Sequence, residues 1–274
     1  MKILMRFPEG RAKALTFSYD DGVKQDIRLV EILNKHGMKG TFNVNSGLYA
    51  PEGQVHRRMT EQAITELFKD SGHEVAVHAY THPFLETLSP ANITWEILKD
   101  REALEKQFGT LIRGMAYPYG SHSNSVVEVL RNCGIVYART TVSTERFGIP
   151  TDWLRMPATC HHNNPRLMEL ADKFITMSVS NHPQLFYLWG HSYEFDDHNN
   201  WNVIEEFTDR MAGKEDEIWY ATNIEIYEYI EDYNRLIWSA DGSIVKNPTA
   251  RTIWFRCNGA DHSVAPGETL KLNA

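Results

Sequence analysis

Short β-type runs alternate with longer amphipathic patterns along most of this chain, and that order restricts it to folds built around a parallel sheet. AKALTFSY reads as a strand, and DIRLVEILNKHG reads as a helix with Ile27, Val30 and Leu33 on one face and Gly37 at its end. GTFNVN, HEVAVHAY, GMAYPYG, VYART, LFYLWGH and IWYAT read as further strands. Between them fall helical patterns at TEQAITELFKDSG, introduced by Thr60, at ANITWEILKDREALEKQFG after Ser89, near SVVEVLRNCG and RLMELADKFI, and at VIEEFTDRMAG and IEIYEYIEDYNRL. About seven or eight such units point to a barrel or a wound parallel sheet, where functional groups collect at the C-terminal ends of strands.

After Leu236 the pattern changes to short strands with turn signals, ADGSIV, NPTARTIWFRC and NGADHSVAPGETLKL. The 274 residues, 42% of them hydrophobic, suffice for one large core. A main α/β domain over 1–236 and a β-rich C-terminal extension over 237–274 docked on it are expected, because so short a segment lacks a secure core of its own.

A net charge of −8 and a pI near 5.8 provide no basic patch to follow a phosphate backbone, which argues against a nucleic-acid partner. The start, MKILMRFPEGRAK, is broken by Arg6, Pro8 and Glu9 before a signal-peptide core can form, and no run of about 20 apolar residues follows. A cytoplasmic protein without a membrane partner is the expectation. Cys133, Cys160 and Cys257 are odd in number and form no CxxC pair, so they read as reduced thiols.

Chemistry concentrates at three strand ends. Asp20 and Asp21 repel each other where an apolar strand meets Gly22, and burial there is costly without a cation or proton as partner. His78 and His82, spaced i, i+4, follow the strand EVAV, and His191 follows LFYLW. Two histidines and a carboxylate can hold Zn²⁺ and leave a position open for water. Asp21 would then ligate, Asp20 would take a proton from the water, and His191 would protonate a leaving group. Singly, an Asp-Asp-Gly is a turn and a histidine pair is packing; their combination with PYG and GH at later strand ends favours a site. His73 is expected to pack or hydrogen-bond at a strand start, and His161 and His162 to be polar loop residues. Glu194 or Asp196 is a candidate to orient the His191 imidazole.

SYDDG (Ser18 to Gly22), HAYTH preceded by SGHEVAV, the YPYG of Tyr117 to Gly120 and the late strand ending in LWGH resemble the ordered motifs of the polysaccharide deacetylases, carbohydrate esterase family 4, over roughly residues 12–235. The resemblance implies a distorted (β/α) barrel of about seven parallel strands. It implies metal-dependent hydrolysis of acetyl groups on an N-acetylated, sometimes O-acetylated, sugar or oligosaccharide. Its implied roles are Asp20 as general base, Asp21, His78 and His82 as metal ligands, Tyr119 as an oxyanion donor through its backbone N–H, and His191 as general acid. Zn²⁺ is the expected ion, with Co²⁺ or another divalent ion as alternatives. An O-acetyl esterase, another C–N hydrolase and a metal-containing saccharide-binding protein without turnover are the competing readings, and the oligomeric state is open. Trp189, Trp201, Tyr193 and Tyr80 lie near strand ends, where aromatics stack on sugars or fill the core.

The chain departs from the family pattern at several points. Val23 stands where proline often follows the first motif. Ala79 replaces the hydroxyl that braces the histidine loop, with Thr81 the nearest substitute. Ala116 occupies the position of the arginine that pairs with the base; Arg113 should face the other side of its strand, so Arg155 in WLRMP is the expected replacement. Asp152 and Trp153 are the candidates for a fourth motif.

Overall fold

The computed structural model describes residues 2–54, 56–179 and 181–272. After β1 (Ile3–Arg6) the chain alternates β2 (Lys13–Asp20), α1 (Asp26–Lys35), β3 (Gly40–Val44), α2 (Glu61–Phe68), β4 (Glu74–Val77) and α3 (Pro90–Phe108). It continues through β5 (Gly114–Ala116), α4 (Asn124–Asn132), β6 (Tyr137–Ser143), β7 (Met156–Ala158), β8 (Cys160–His161) and α5 (Leu167–Thr176). Then follow β9 (Gln184–Gly190), α6 (Tyr193–Asp197), α7 (Asn202–Met211), β10 (Ile218–Tyr220) and α8 (Asn223–Asn234).

The strands β2 to β6 are neighbours in sequence order, all parallel. One segment, Met156 to His161, closes the sheet: its β7 half pairs with β6 and its β8 half with β9, which returns to β2. β10 pairs only with Lys13–Leu15 of β2, because β3 takes the far end of that strand. The result is a parallel barrel of about seven strands, uneven where short strands replace long ones.

Alternation along the strands sorts side chains into two environments. Leu15, Phe17 and Tyr19 of β2, Phe42 and Val44 of β3, Val75 and Val77 of β4, and Phe186 and Leu188 of β9 join the large apolar cluster with the helices. The intervening residues meet inside the barrel, which is polar: Thr16 bonds Asn223, Asn43 donates to Ser18, and Glu74 accepts from Tyr137 and Thr41. A polar barrel interior is what lets charged residues lie at its C-terminal mouth.

Helix boundaries follow local chemistry. Thr60 and Ser89 cap α2 and α3 by accepting from Ala63 N–H and Asn92 N–H, and Gly109 ends α3 at φ +68°. Thr222 and Glu225 form a reciprocal capping box at α8. In α1 the expected inward position of Ile27 is wrong: Ile27 is 44% exposed, while Asp26, Leu29, Val30 and Leu33 face inward. Asp26 takes the inward place because its carboxyl accepts from Val23 N–H and Ser192 Oγ, tying the Asp-Asp-Gly turn to the residue after His191.

Beyond α8 come β11 (Ile237–Trp238), β12 (Ile244–Lys246), β13 (Ile253–Cys257), β14 (Ala260–Val264) and β15 (Thr269–Lys271). They form two small antiparallel sheets, and the one built on β13 and β14 takes in β1 from the other end of the chain. A second apolar cluster joins Phe255, Val264 and Val245 of these sheets to Tyr229 of α8 and to Tyr187 and Met156 of the barrel. Cys133, Cys160 and Cys257 are buried free thiols. Among the described residues no helix is long and apolar enough to cross a membrane.

Candidate active site

Asp20 ends β2 on its interior face, and strict alternation would send Asp21 to the opposite side. Asp21 instead adopts φ +85°, a left-handed conformation rare outside glycine, which returns its carboxylate to the barrel mouth. There Asp21, His78 and His82 offer ligand atoms within 4.8 Å of one another. Ala79 and His82 also have positive φ, +59° and +56°, so the loop doubles back and brings both imidazoles to one side.

Buried carboxyls in the middle of α3 brace that loop. Asp100 accepts from His78 N–H at 3.0 Å and from Ser46, while Glu96 accepts from Thr81 Oγ1 at 2.6 Å and Thr81 N–H at 2.8 Å. Thr81 and the two carboxyls of α3 thus do what a hydroxyl at position 79 would do.

The imidazole tautomers decide what the three residues can hold. His78 Nδ1 lies 2.8 Å from Ala116 O, a pure acceptor, so Nδ1 carries the proton and Nε2 presents a lone pair. That Nε2 is buried and has no hydrogen-bond partner. A buried, unpartnered lone pair beside a second imidazole and a carboxylate fits a divalent cation, and the Nδ1–H bond to a carbonyl is the usual support of a metal-binding histidine. Burial, reinforced by the charge of His78 and opposed by Asp21, pushes His82 down to about 4. The His82 imidazole therefore stays neutral in mild acid.

A second group of similar composition, His161, His162 and Glu194, is arranged around its carboxylate, and both ring nitrogens of His162 are likewise buried without a hydrogen-bond partner. Asn163 N–H donates to His161 Nδ1 at 3.1 Å, which puts the His161 proton on Nε2, 3.3 Å from Glu194 Oε2. His162 Nε2 lies 2.9 Å from the same oxygen, and Asn163 Nδ2 donates to it at 3.0 Å. Glu194 Oε2 thus accepts from Asn163 and lies against both imidazoles, while Oε1 accepts from His191 Nδ1 at 3.0 Å. Burial would raise Glu194, but these hydrogen bonds and the nearby imidazoles outweigh it and hold the carboxyl well below its usual range. His161 and His162 are therefore not the solvated loop residues expected from ATCHHNN. His162 is 1% exposed, and a Cβ at Gly190 would lie 2.1 Å from its Nδ1, which explains the glycine before His191.

His191 uses Nδ1–H on Glu194 and turns Nε2 toward Asp20 Oδ2, 3.8 Å away. Burial alone would lower its pKa, but the Glu194 hydrogen bond and the charges of Asp20, Asp21 and Glu194 raise it. Asp196, the other candidate to orient His191, instead accepts from Trp201 Nε1 and Gln25.

Asp20 has an arginine partner that sequence reasoning missed. Arg139, fully buried on β6, donates from Nη2 to Asp20 Oδ2 and from Nε to Ser18 Oγ at 3.2 Å, with its guanidinium 4.4 Å from the Trp189 ring. Burial would raise Asp20, but Arg139, His78 and His191 lower it to about 2. Arg155 does not take this part: it binds Asp152 at 2.9 Å and Asn124 at 2.6 Å. Arg139 pairs in register with Ala116 on the adjacent strand, so the cation has moved one strand sideways. An arginine inside the apolar run VYART was the available signal. Asp152 caps Leu154 N–H and Trp153 packs on Tyr227, so neither joins this group.

Tyr119, at φ +56° in the Pro118–Gly120 turn, stands beside the candidate ligand His82. Its ring lies 4.5 Å from that of His82, is stacked on Phe84 at 4.0 Å, and is 58% exposed. Trp189 and Trp201 are buried, Tyr80 and Tyr193 are part-buried, and Tyr119 and Phe84 are exposed.

The family model described as polysaccharide deacetylase matches residues 8–138. The chain is similar to a peptidoglycan-N-acetylglucosamine deacetylase of Listeria monocytogenes, 29% identical over 136 residues, or 48% of this chain and 26% of that protein. A chitooligosaccharide deacetylase of Bradyrhizobium is 27% identical over 146 residues, covering 52% of this chain and 60% of the relative. The chain thus spans less than two thirds of the length of either. The solved chitin deacetylase of the fungus Colletotrichum lindemuthianum shares the fold, with a TM-score of 0.56 at 22% identity over 82% of this chain and 90% of that one.

Proposed function

From the match of residues 8–138 to the polysaccharide deacetylase family model, we propose that the chain is a metal-dependent hydrolase of that family removing acetyl groups from an N-acetylated sugar or oligosaccharide. The observation that carries this reading is His78, whose Nδ1–H is committed to Ala116 O while its buried Nε2 faces Asp21 and His82 without a partner. A divalent cation on these three residues, with Zn²⁺ the expected ion, would supply a Lewis acid for the acetyl carbonyl.

The remaining steps belong to the chain. Asp20, kept ionised by Arg139, takes a proton from the attacking water. The Tyr119 backbone N–H is assigned to the developing oxyanion. His191, held by Glu194 and with its pKa raised by its acidic surroundings, delivers a proton from Nε2 to the leaving nitrogen. An amine leaves poorly without that proton, whereas an alkoxide leaves more readily. His191→Ala should therefore lower N-deacetylation by about 10²-fold or more and O-deacetylation by less. Equal losses on amide and ester would remove His191 from the acid role.

The case for a saccharide-binding protein without turnover rested on the arginine absent at Ala116, and the pairing of Arg139 with Asp20 takes that ground away. Metal analysis tests the ligand assignment directly. Asp21→Ala and His78→Ala should lose most bound metal after chelation and reloading, and full retention would overturn it.

A further inference from the structure

Asp20 and Asp21 each have their own arginine. Arg139 holds Asp20 from inside the barrel, and Arg58 holds Asp21 from the rim. Arg58 donates from Nη1 to Asp21 O at 2.5 Å and Asn45 Oδ1 at 2.8 Å, and from Nη2 to Asp21 Oδ1 at 2.9 Å. That Oδ1 is the oxygen facing His82 Nε2, at 3.7 Å. Asn45 in turn donates to the carbonyls of His78 and Ala79, so one guanidinium ties together the loops that carry all three ligands.

The arrangement is built into the backbone. Met59 N–H donates to Gly22 O, Lys24 N–H donates to Arg57 O, and Val23 forms an antiparallel bridge with Arg58. Arg57 anchors the same segment by binding Asp197 and lying over the Tyr193 ring at 4.5 Å. The Arg58 side chain is only 17% exposed, so it is not a solvated surface cation.

With His78 and His82 neutral, the carboxylates of Asp20 and Asp21 are already offset by two guanidiniums before any metal enters, and Glu194 faces His191 beside them. A divalent cation at Asp21 must share its carboxylate with a guanidinium already in contact with it, and the two positive charges repel at short range. We propose that Arg58 is a positioning residue that holds Asp21 in place as a resident counter-cation and thereby weakens the affinity of the ligand group for its metal. The inference rests on the metal reading given above.

The test compares wild type, Arg58→Met and Arg58→Lys, stripped with chelator and titrated with Zn²⁺ and Co²⁺ against a competing chromophoric chelator, with Tm measured for metal-free and loaded protein. Arg58→Met should bind either ion at least about tenfold more tightly. Its metal-free Tm should fall while the loaded Tm stays close to wild type, because the ion replaces the lost charge. Arg58→Lys, which keeps the charge, should stay near wild-type affinity. Equal or weaker binding by Arg58→Met would overturn the role of Arg58 and leave the metal site standing. Absence of stoichiometric metal from both wild type and Arg58→Met would overturn both, whereas binding by Arg58→Met alone would support the proposal.

Discussion

Asp20→Asn should lower kcat by about 10²–10⁴-fold while leaving bound metal in place. The substitution keeps the shape of the side chain and the acceptor for Asn43 Nδ2, and the three candidate ligands are other residues. What it removes is the anion able to accept a proton. Because Arg139, His78 and His191 bring Asp20 to about 2, the wild-type base is ionised throughout neutral and mildly acidic conditions. The acid limb of the wild-type rate profile should consequently not reflect Asp20 until pH approaches that value. Near-normal kcat in Asp20→Asn with full metal occupancy would remove Asp20 as the base.

Arg139→Met should destabilise the fold by about 3–5 kcal/mol, since it leaves the Asp20 carboxylate buried without its cation. Desolvation, now less opposed, should also raise the Asp20 pKa. This stability contribution has a definite pH sense. The folded pKa of Asp20 is lowered from 3.8 to about 2, so the contribution is fully present above about 4 and lost as pH falls through about 2. The loss in Arg139→Met should be smaller in an Asp20→Asn background, because neutralising the carboxylate removes the unpaired charge. Denaturant unfolding of the four proteins measures this coupling. Additive effects would mean that Arg139 acts by packing on Trp189 rather than through its charge.

The sequence was informative wherever chemistry depends on neighbours along the chain. Alternating strand and helix patterns marked β2 to β6, β9 and β10 and the longer helices between them, and a histidine pair following a strand marked one loop. Period two also ruled out Arg113 correctly in principle, since the interior face of β5 passes through Ala116, which pairs with Arg139. What sequence could not supply was the partner across the barrel: Arg139 meets an aspartate 119 positions earlier through closure of the sheet. The left-handed backbone at Asp21, Ala79 and His82 was equally invisible, because alanine has no preference for positive φ and Asp and His adopt it in only a small minority of cases. Adjacent aspartates looked like mutual repulsion; two arginines from different parts of the chain separate their roles. His161 and His162 read as loop residues because their partner, Glu194, follows more than thirty positions later. β1 likewise pairs with β13 from the far end of the chain, a contact no local pattern encodes.

Acetate release from N-acetylglucosamine oligomers, alongside an aryl acetate ester, by protein stripped with chelator and reloaded with Zn²⁺ or Co²⁺, tests the central claim most directly. The account predicts that stripped protein is inactive, that either reloaded form releases acetate from the oligomers, and that Asp20→Asn does not despite retaining metal. Oligomer hydrolysis undiminished by stripping, or no release of acetate from oligomers by fully loaded protein, would contradict it.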